Sequence, residues 1–145
     1  MKLTILLANC LSIALLSCNR IEGNNRFNQK DIEYLRTINL LDRDEQIYRF
    51  YSEYKKRVAG NFFTNKRIAT YWIDERNQEK NEISFAFYTD IVHIDTVYYA
   101  GITHTPYMLI RKNDSTQFKV SVNGSKEEVK LFFEEAMKEW KKINE

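Results

Sequence analysis

The hydrophobic pattern of residues 83–145 constrains the fold most, because its period changes once along the chain. Up to Val122, residues that share a face recur at every second position, which is typical of half-buried antiparallel strands. These residues are Ile83, Phe85 and Phe87, then Val92, Ile94, Thr96 and Tyr98, then Met108 and Ile110, and finally Phe118, Val120 and Val122. From Val129 onward the apolar spacing is helical. The pattern therefore predicts an antiparallel sheet followed by one C-terminal helix.

The start of this helix is marked by Ser125 and Glu128, which match a capping box in which each side chain satisfies the other's backbone amide. A helix with an apolar stripe must cover an apolar surface. We therefore expect it to close one end of a half-open barrel formed by the sheet. The stripe consists of Val129, Phe132, Phe133, Ala136, Met137, Trp140 and Ile143.

A second, shorter helix is predicted over residues 28–41, near the start of the folded part. Asn28 can cap it, and three apolar residues recur at helical spacing, namely Ile32, Leu35 and Ile38.

Between the two helices, further strands are predicted. Residues 45–55 are rich in Tyr and Phe, as strands are. Gly60 and Asn61 predict a turn, and the β-rich run after them ends near Ile73. The polar residues 74–81 predict a hairpin loop.

This order of elements resembles the pleckstrin-homology-like (PH-like) fold over residues 40–142. Thr64 and Arg67 match the Thr-x-x-Arg turn that is common between early strands of bacterial PH-like domains. The resemblance implies a mainly β (α+β) fold, an antiparallel half-open barrel of about seven strands with a C-terminal capping helix. It also implies a module that binds lipid headgroups, peptides or partner proteins and is not an enzyme.

The N-terminus carries a different resemblance. Lys2 is the only charge before Arg20, and the apolar run between them is too short to span a membrane as a helix. Residues 15–18, Leu-Leu-Ser-Cys, resemble the lipobox of bacterial lipoproteins, in which the chain is cut before the cysteine and the cysteine receives acyl chains such as palmitate. The alternative is an ordinary cleaved signal with a chance cysteine.

The lipoprotein resemblance divides the chain into three segments. Residues 1–17 are the signal peptide, residues 18–29 are the lipidated Cys18 with a polar tether, and residues 30–145 are the domain with its short helix. Two or more acyl chains hold a protein stably on a membrane. We therefore expect a bacterial protein on the cell membrane or the outer membrane, facing the periplasm or the outside.

Composition excludes several function classes. The formal net charge of +2 gives no reason to expect nucleic-acid binding. Cys10 leaves with the signal and Cys18 carries lipid, so the mature protein has no thiol for a disulfide, for catalysis or for a metal. We expect no cofactor.

One candidate binding site is basic. We expect Lys55, Lys56, Arg57, Lys66 and Arg67 to flank the first strand turn of the barrel. The PH-like resemblance implies that such cations converge on an anionic ligand, because several positive charges can hold one polyanion. The alternative is an ordinary solvated surface.

Another candidate is acid–base or metal chemistry at His93, Asp95 and His104. Zinc sites normally use three or four such ligands, and the chain has only these two histidines. We therefore interpret the three residues as ordinary polar positions and predict neither a metal site nor catalytic residues.

The sequence as a whole favours a lipid-anchored cell-envelope binding or scaffold module whose protein or peptide partner is not identified. Its dense set of tyrosines is compatible with a protein interface, because tyrosine combines an apolar ring with a polar tip. The alternative is an inhibitor or immunity-type lipoprotein that blocks an envelope enzyme.

The first prediction concerns the anchor. Cys18→Ala removes the thiol that carries the lipid, so we expect an uncleaved precursor that no longer fractionates with membranes after detergent-free lysis. Immunoblotting of membrane and soluble fractions measures this. A variant that is processed and membrane-bound in the wild-type amount would refute the lipoprotein interpretation.

Overall fold

The computed structural model describes residues 21–23, 27–99 and 104–145, and Cys18 with the predicted signal peptide lies outside these ranges. The described residues form two short 3-10 helices, at Gln78–Lys80 and Tyr88–Asp90, together with two α-helices and eight strands. In chain order the α-helices and strands are β1 Glu22–Gly23, α1 Gln29–Thr37, β2 Ile47–Tyr51, β3 Ala59–Thr64, β4 Arg67–Trp72, β5 Glu82–Phe87, β6 Ile91–Val97, β7 Tyr107–Lys112, β8 Gln117–Ser121 and α2 Lys126–Asn144.

The strands form two antiparallel sheets. The first sheet has the order β1-β2-β3-β4-β5, and the second has the order β6-β7-β8. Within both sheets, every pairing joins strands that are consecutive in the chain. The predicted fold class, a mainly antiparallel architecture with a short N-terminal helix and a C-terminal helix, is confirmed. None of the described helices is long and apolar enough to cross a membrane.

The first sheet is buried on both faces, because two separate hydrophobic cores lie against it. Phe62 and Phe63 are adjacent in β3 and both are fully buried, yet they belong to different cores. Successive strand residues point to opposite faces, so consecutive phenylalanines require apolar partners on both sides. The molecule therefore has three layers. The helix α1 packs on the outer face of the first sheet, and the second sheet and α2 pack on its inner face.

The outer core is formed by α1 and the segment after it. Asn28 caps α1 by accepting a hydrogen bond from the Asp31 backbone N–H at 2.9 Å, as predicted. The helix ends at Thr37, earlier than the predicted residue 41. Asn39 has a left-handed backbone with φ of 59°, which ends the helix, and the Leu40 N–H bonds the Leu35 carbonyl at 2.9 Å. Leu40 thereby turns back into the outer core.

The inner core is closed by α2. The predicted capping box of Ser125 and Glu128 is present with both of its hydrogen bonds. Phe132 and Phe133 are fully buried, whereas Trp140 is half-buried and donates from Nε1 to the Ile91 carbonyl at 3.1 Å. The predicted stripe is wrong at its end, because Ile143 is exposed.

The turn predicted at Gly60 and Asn61 is also wrong. Both residues lie inside β3, and the chain turns at residues 65–66 instead. Glycine occupies position 60 because the rings of Phe50 and Tyr71 close over it: a Cβ atom there would come within 2.5 Å and 2.6 Å of them. Gly60 is therefore required by close packing and does not mark a turn of the chain.

The alternation predicted for β6 fails at Val92. The register shifts between Ile91 and His93, so Val92 is an extra residue relative to β7. Such a bulge moves the following residues to the opposite face. Ile91 and Ile94 are buried as a result, and Val92 is exposed.

A buried ion pair joins the outer layer to the first sheet. The Arg67 side chain is only 2% exposed, and its Nε and Nη2 atoms lie 2.9 and 2.8 Å from the two carboxylate oxygens of Glu45. Thr64 donates from Oγ1 to the same carboxylate at 2.5 Å and accepts from the Arg67 N–H at 3.0 Å. The Arg67 guanidinium also lies 4.9 Å from the Phe85 ring centre and 4.5 Å from that of Phe87. The Thr-x-x-Arg turn is therefore a structural junction.

Gly60→Ala tests the close packing in β3. The added methyl group has no space between the two rings, so we expect a loss of about 1–3 kcal/mol in the free energy of unfolding, as overpacking typically costs. Gly23→Ala is the control, because nothing lies within 4 Å of a Cβ there. Urea denaturation measures both, and equal midpoints for the two variants would contradict this account.

Arg67→Met tests the buried ion pair. It leaves Glu45 buried without its partner, which typically costs about 3–5 kcal/mol. The double variant Glu45→Leu with Arg67→Met should recover part of that loss, because it removes the unpaired charge. Lys66→Met, in the same turn but only partly buried, is the control and should change the urea midpoint little. A double variant at least as unstable as Arg67→Met alone would contradict the ion-pair explanation.

Candidate binding groove

The structure does not bring the five predicted anion-binding cations together. Residues 55–57 lie in the loop between β2 and β3, whereas Lys66 and Arg67 lie at the turn between β3 and β4. These are opposite ends of β3, whose six residues span about 20 Å at the usual rise of a strand. The expectation that all five flank one turn is therefore corrected: they form two separate groups.

The group at the β3–β4 turn is matched by acidic residues of the same chain. Arg67 is paired with Glu45 and also lies 3.0 Å from Asp42. Lys66 Nζ lies 2.8 Å from an Asp44 oxygen. This hydrogen bond raises the pKa of Lys66 and lowers that of Asp44. A ligand at this turn would have to compete with carboxylates that are already in place.

The group in the β2–β3 loop is more open. Lys55 and Arg57 are exposed, whereas Lys56 lies 2.6 Å from a Glu22 carboxylate oxygen and 4.7 Å from the Phe27 ring centre. The loop is held by two tyrosine hydroxyls, because Tyr34 donates to the Arg57 carbonyl and Tyr71 to the Lys56 carbonyl. Burial raises the pKa of Tyr71. Anion binding by this loop stays a prediction.

Two of the three residues considered for acid–base or metal chemistry, His93 and Asp95, lie on the outer surface of the second sheet, whereas His104 is exposed in the segment before β7. His93 Nε2 is 2.9 Å from an Asp95 oxygen, and the other Asp95 oxygen is 3.0 Å from Arg111. Asp95 is thus shared between His93 and a cation. Within the described ranges, no three His, Cys, Asp or Glu side chains come together as metal ligands.

A groove of about 620 Å³ lies between the end of β6 and the first half of α2. This volume is within the range of small-molecule and peptide pockets, about 300–1,000 Å³. Its lining is formed by Thr96, Val97, Tyr98, Tyr99, Pro106, Gly124, Lys126, Val129, Lys130 and Glu134.

One wall of the groove is a strand edge. In the part of the chain that the structure describes, β6 pairs only with β7, so its other edge faces α2 without a strand partner. Tyr98 continues this wall and packs against Phe133, with 5.3 Å between ring centres. The unpaired edge of a strand carries backbone N–H and C=O groups that can bind an added strand.

The opposite wall is the exposed side of α2, where charged residues surround an apolar floor. Lys126 Nζ lies 5.4 Å from the Tyr99 ring centre, and Lys130 lies 3.7 Å from Glu134. Val129 is buried at the base of the groove. The groove therefore offers a backbone edge, an apolar floor and two lysines along its helical rim.

Sequence reasoning did not find this groove. Tyr98 and Tyr99 belonged to the tyrosines considered for an interface, but Pro106, Lys126 and Lys130 carried no signal of their own. The site arises because α2 lies beside β6, and that contact joins residues about 30 positions apart.

Comparison with known proteins supports the fold. No protein-family model and no curated protein matches the sequence. A solved structure does match: a DUF1696 family protein with a pleckstrin-homology domain from Shewanella loihica. The two chains are 13% identical, the match covers 78% of this chain and 95% of the other, and the TM-score is 0.50. At this identity the similarity shows the fold alone, and the fold of this chain is PH-like.

Proposed function

We propose that this protein is a lipid-anchored module of the bacterial cell envelope that binds a protein partner through the groove between β6 and α2. The anchoring part rests on the lipobox resemblance that ends at Cys18. The binding part rests on one observation, the unpaired edge of β6 beside an apolar groove.

The partner that fits this groove best is an extended peptide segment. A strand added to β6 forms backbone hydrogen bonds irrespective of sequence, and alternate side chains then enter the groove. Lys126 lies on the rim, so an acidic side chain of the segment gains a favourable interaction there, whereas Lys130 is already 3.7 Å from Glu134. Binding of this kind needs neither a metal nor a catalytic residue.

The inhibitor or immunity-type alternative differs only in the partner's identity. An envelope enzyme held through this groove would favour it, whereas a structural or assembly protein would favour a scaffold role. Identification of the bound protein by crosslinking therefore distinguishes the two roles.

The test is site-specific photo-crosslinking in the native envelope, followed by mass spectrometry. A photoreactive residue at Lys130, in the groove, should capture one dominant protein. The same residue at Lys141 is the control, because Lys141 is exposed on the same helix but lies outside the groove. We expect no such capture from Lys141.

A pair of bulky substitutions on β6 sharpens the test. Val97→Trp fills the groove and should abolish crosslinking from Lys130, whereas Val92→Trp is on the same strand outside the groove and should not. Unchanged urea midpoints would show that both variants fold. Equal capture from Lys130 and Lys141, or capture that survives Val97→Trp, would overturn the proposed binding site.

A further inference from the structure

Three aromatic side chains are strongly exposed in the described part of the chain. Tyr54 is 58% exposed, Trp72 is 48% exposed and Tyr99 is 76% exposed. Exposed aliphatic residues also occur, but they are scattered, as on most protein surfaces. Tyr and Trp are the residues that concentrate at membrane–water interfaces, because their rings are apolar and their tips are polar.

Two of these aromatics lie at the same end of the first sheet. Tyr54 is in the loop that joins β2 to β3. Trp72 is the last residue of β4 and pairs with Ala59, the first residue of β3. The loop and the end of β4 are therefore adjacent.

Tyr99 is brought to this same end by the second sheet. The last residue of β6, Val97, pairs with Tyr107, and Tyr107 pairs with Ser121. The Ser121 N–H donates to the Asn61 side chain at 3.2 Å, and Asn61 lies two positions after Ala59. These contacts bring the ends of β6, β7 and β8 beside the first sheet near Ala59, and Tyr99 follows the end of β6. The surface that carries Tyr54, Trp72 and Tyr99 is here named the anchor end.

The chain enters the domain at the anchor end as well. β1 is antiparallel to β2, with Glu22 opposite Phe50, so the N-terminal end of β1 lies on the side of the β2–β3 loop. Cys18 is four positions before Glu22, and four residues span at most about 14 Å. Within the predicted tether of residues 18–29, Phe27 packs on Phe50, with 4.8 Å between ring centres.

Lysine side chains lie near two of the exposed aromatic rings. Lys55 Nζ lies 5.6 Å from the Tyr54 ring centre, and Lys126 Nζ lies 5.4 Å from that of Tyr99. Glu53 and Glu82 are exposed at the same end, so the local charge is mixed. Contact with a bilayer there depends on the aromatic rings more than on attraction to anionic headgroups.

We propose that the anchor end is a bilayer-docking surface, on which Tyr54, Trp72 and Tyr99 enter the interfacial region of the phospholipid bilayer that holds the acyl chains of Cys18. This proposal rests on the lipid anchoring proposed above. The short chain between Cys18 and Glu22 gives these rings a high effective concentration at the interface. The domain then has a fixed orientation on the membrane and does not rotate freely about its tether.

The two tryptophans of the chain provide the test and its control. Trp72 lies at the anchor end, whereas Trp140 lies about 21 Å along α2 from Lys126, at 1.5 Å per residue. Trp140→Phe leaves Trp72 as the only tryptophan, and Trp72→Phe leaves Trp140. Each acylated protein is purified from membranes and reconstituted into phosphatidylcholine liposomes with brominated acyl chains, which quench nearby tryptophan fluorescence.

We expect Trp72 to lose most of its fluorescence in these liposomes and Trp140 to lose little. Tyr54→Ser with Tyr99→Ser should reduce quenching of Trp72, whereas Ile143→Ser, an exposed apolar residue beyond Trp140, should not. Liposome flotation separates the two proposals. A protein that floats while Trp72 stays unquenched, or is quenched no more than Trp140, keeps its anchor and overturns the docking surface. A protein that does not float overturns anchoring, and docking with it.

Discussion

The buried ion pair between Arg67 and Glu45 is the interaction on which the three-layer arrangement depends. A buried charge is tolerated only when it is paired and hydrogen-bonded, and here the two partners come from different layers. Glu45 ends the segment that follows α1, and Arg67 begins β4. On the inner side of the same turn, Tyr88 donates to the Thr64 carbonyl at 2.7 Å, and burial raises the pKa of Tyr88. Detaching the outer layer would therefore expose the outer core and also leave a charge unpaired.

Local signals in the sequence predicted the parts of this fold that depend on neighbouring residues. The Asn28 cap and the capping box of Ser125 and Glu128 each involve positions three apart, so they can be recognised from the sequence without tertiary structure. Gly60 shows the limit of such reasoning. Glycine indicates either a turn or a close approach, and only the rings of Phe50 and Tyr71 distinguish the two cases.

The binding surfaces were less predictable because they depend on contacts between distant residues. Arg67 was grouped with nearby cations, since its partner Glu45 lies 22 positions away in sequence and has no local signature. The strand β3 lies between residues 55–57 and Lys66, so these cations are at its opposite ends and do not form one group. The bulge at Val92 likewise changed which residues of β6 face the core. A one-residue irregularity of this kind inverts the alternation on which a sequence interpretation relies.

The proposed groove and the proposed docking surface share Tyr99 and Lys126, and this overlap restricts the partner. The groove is lined by Tyr99 and by α2 from Lys126 to Glu134, so it extends from the proposed docking surface along the helix. A segment paired with β6 would then have one end near the headgroups and the other directed away from them. A free soluble peptide gains nothing from that geometry, whereas a segment next to a membrane anchor of its own is held at high effective concentration. The arrangement therefore favours a partner that is itself attached to the same membrane.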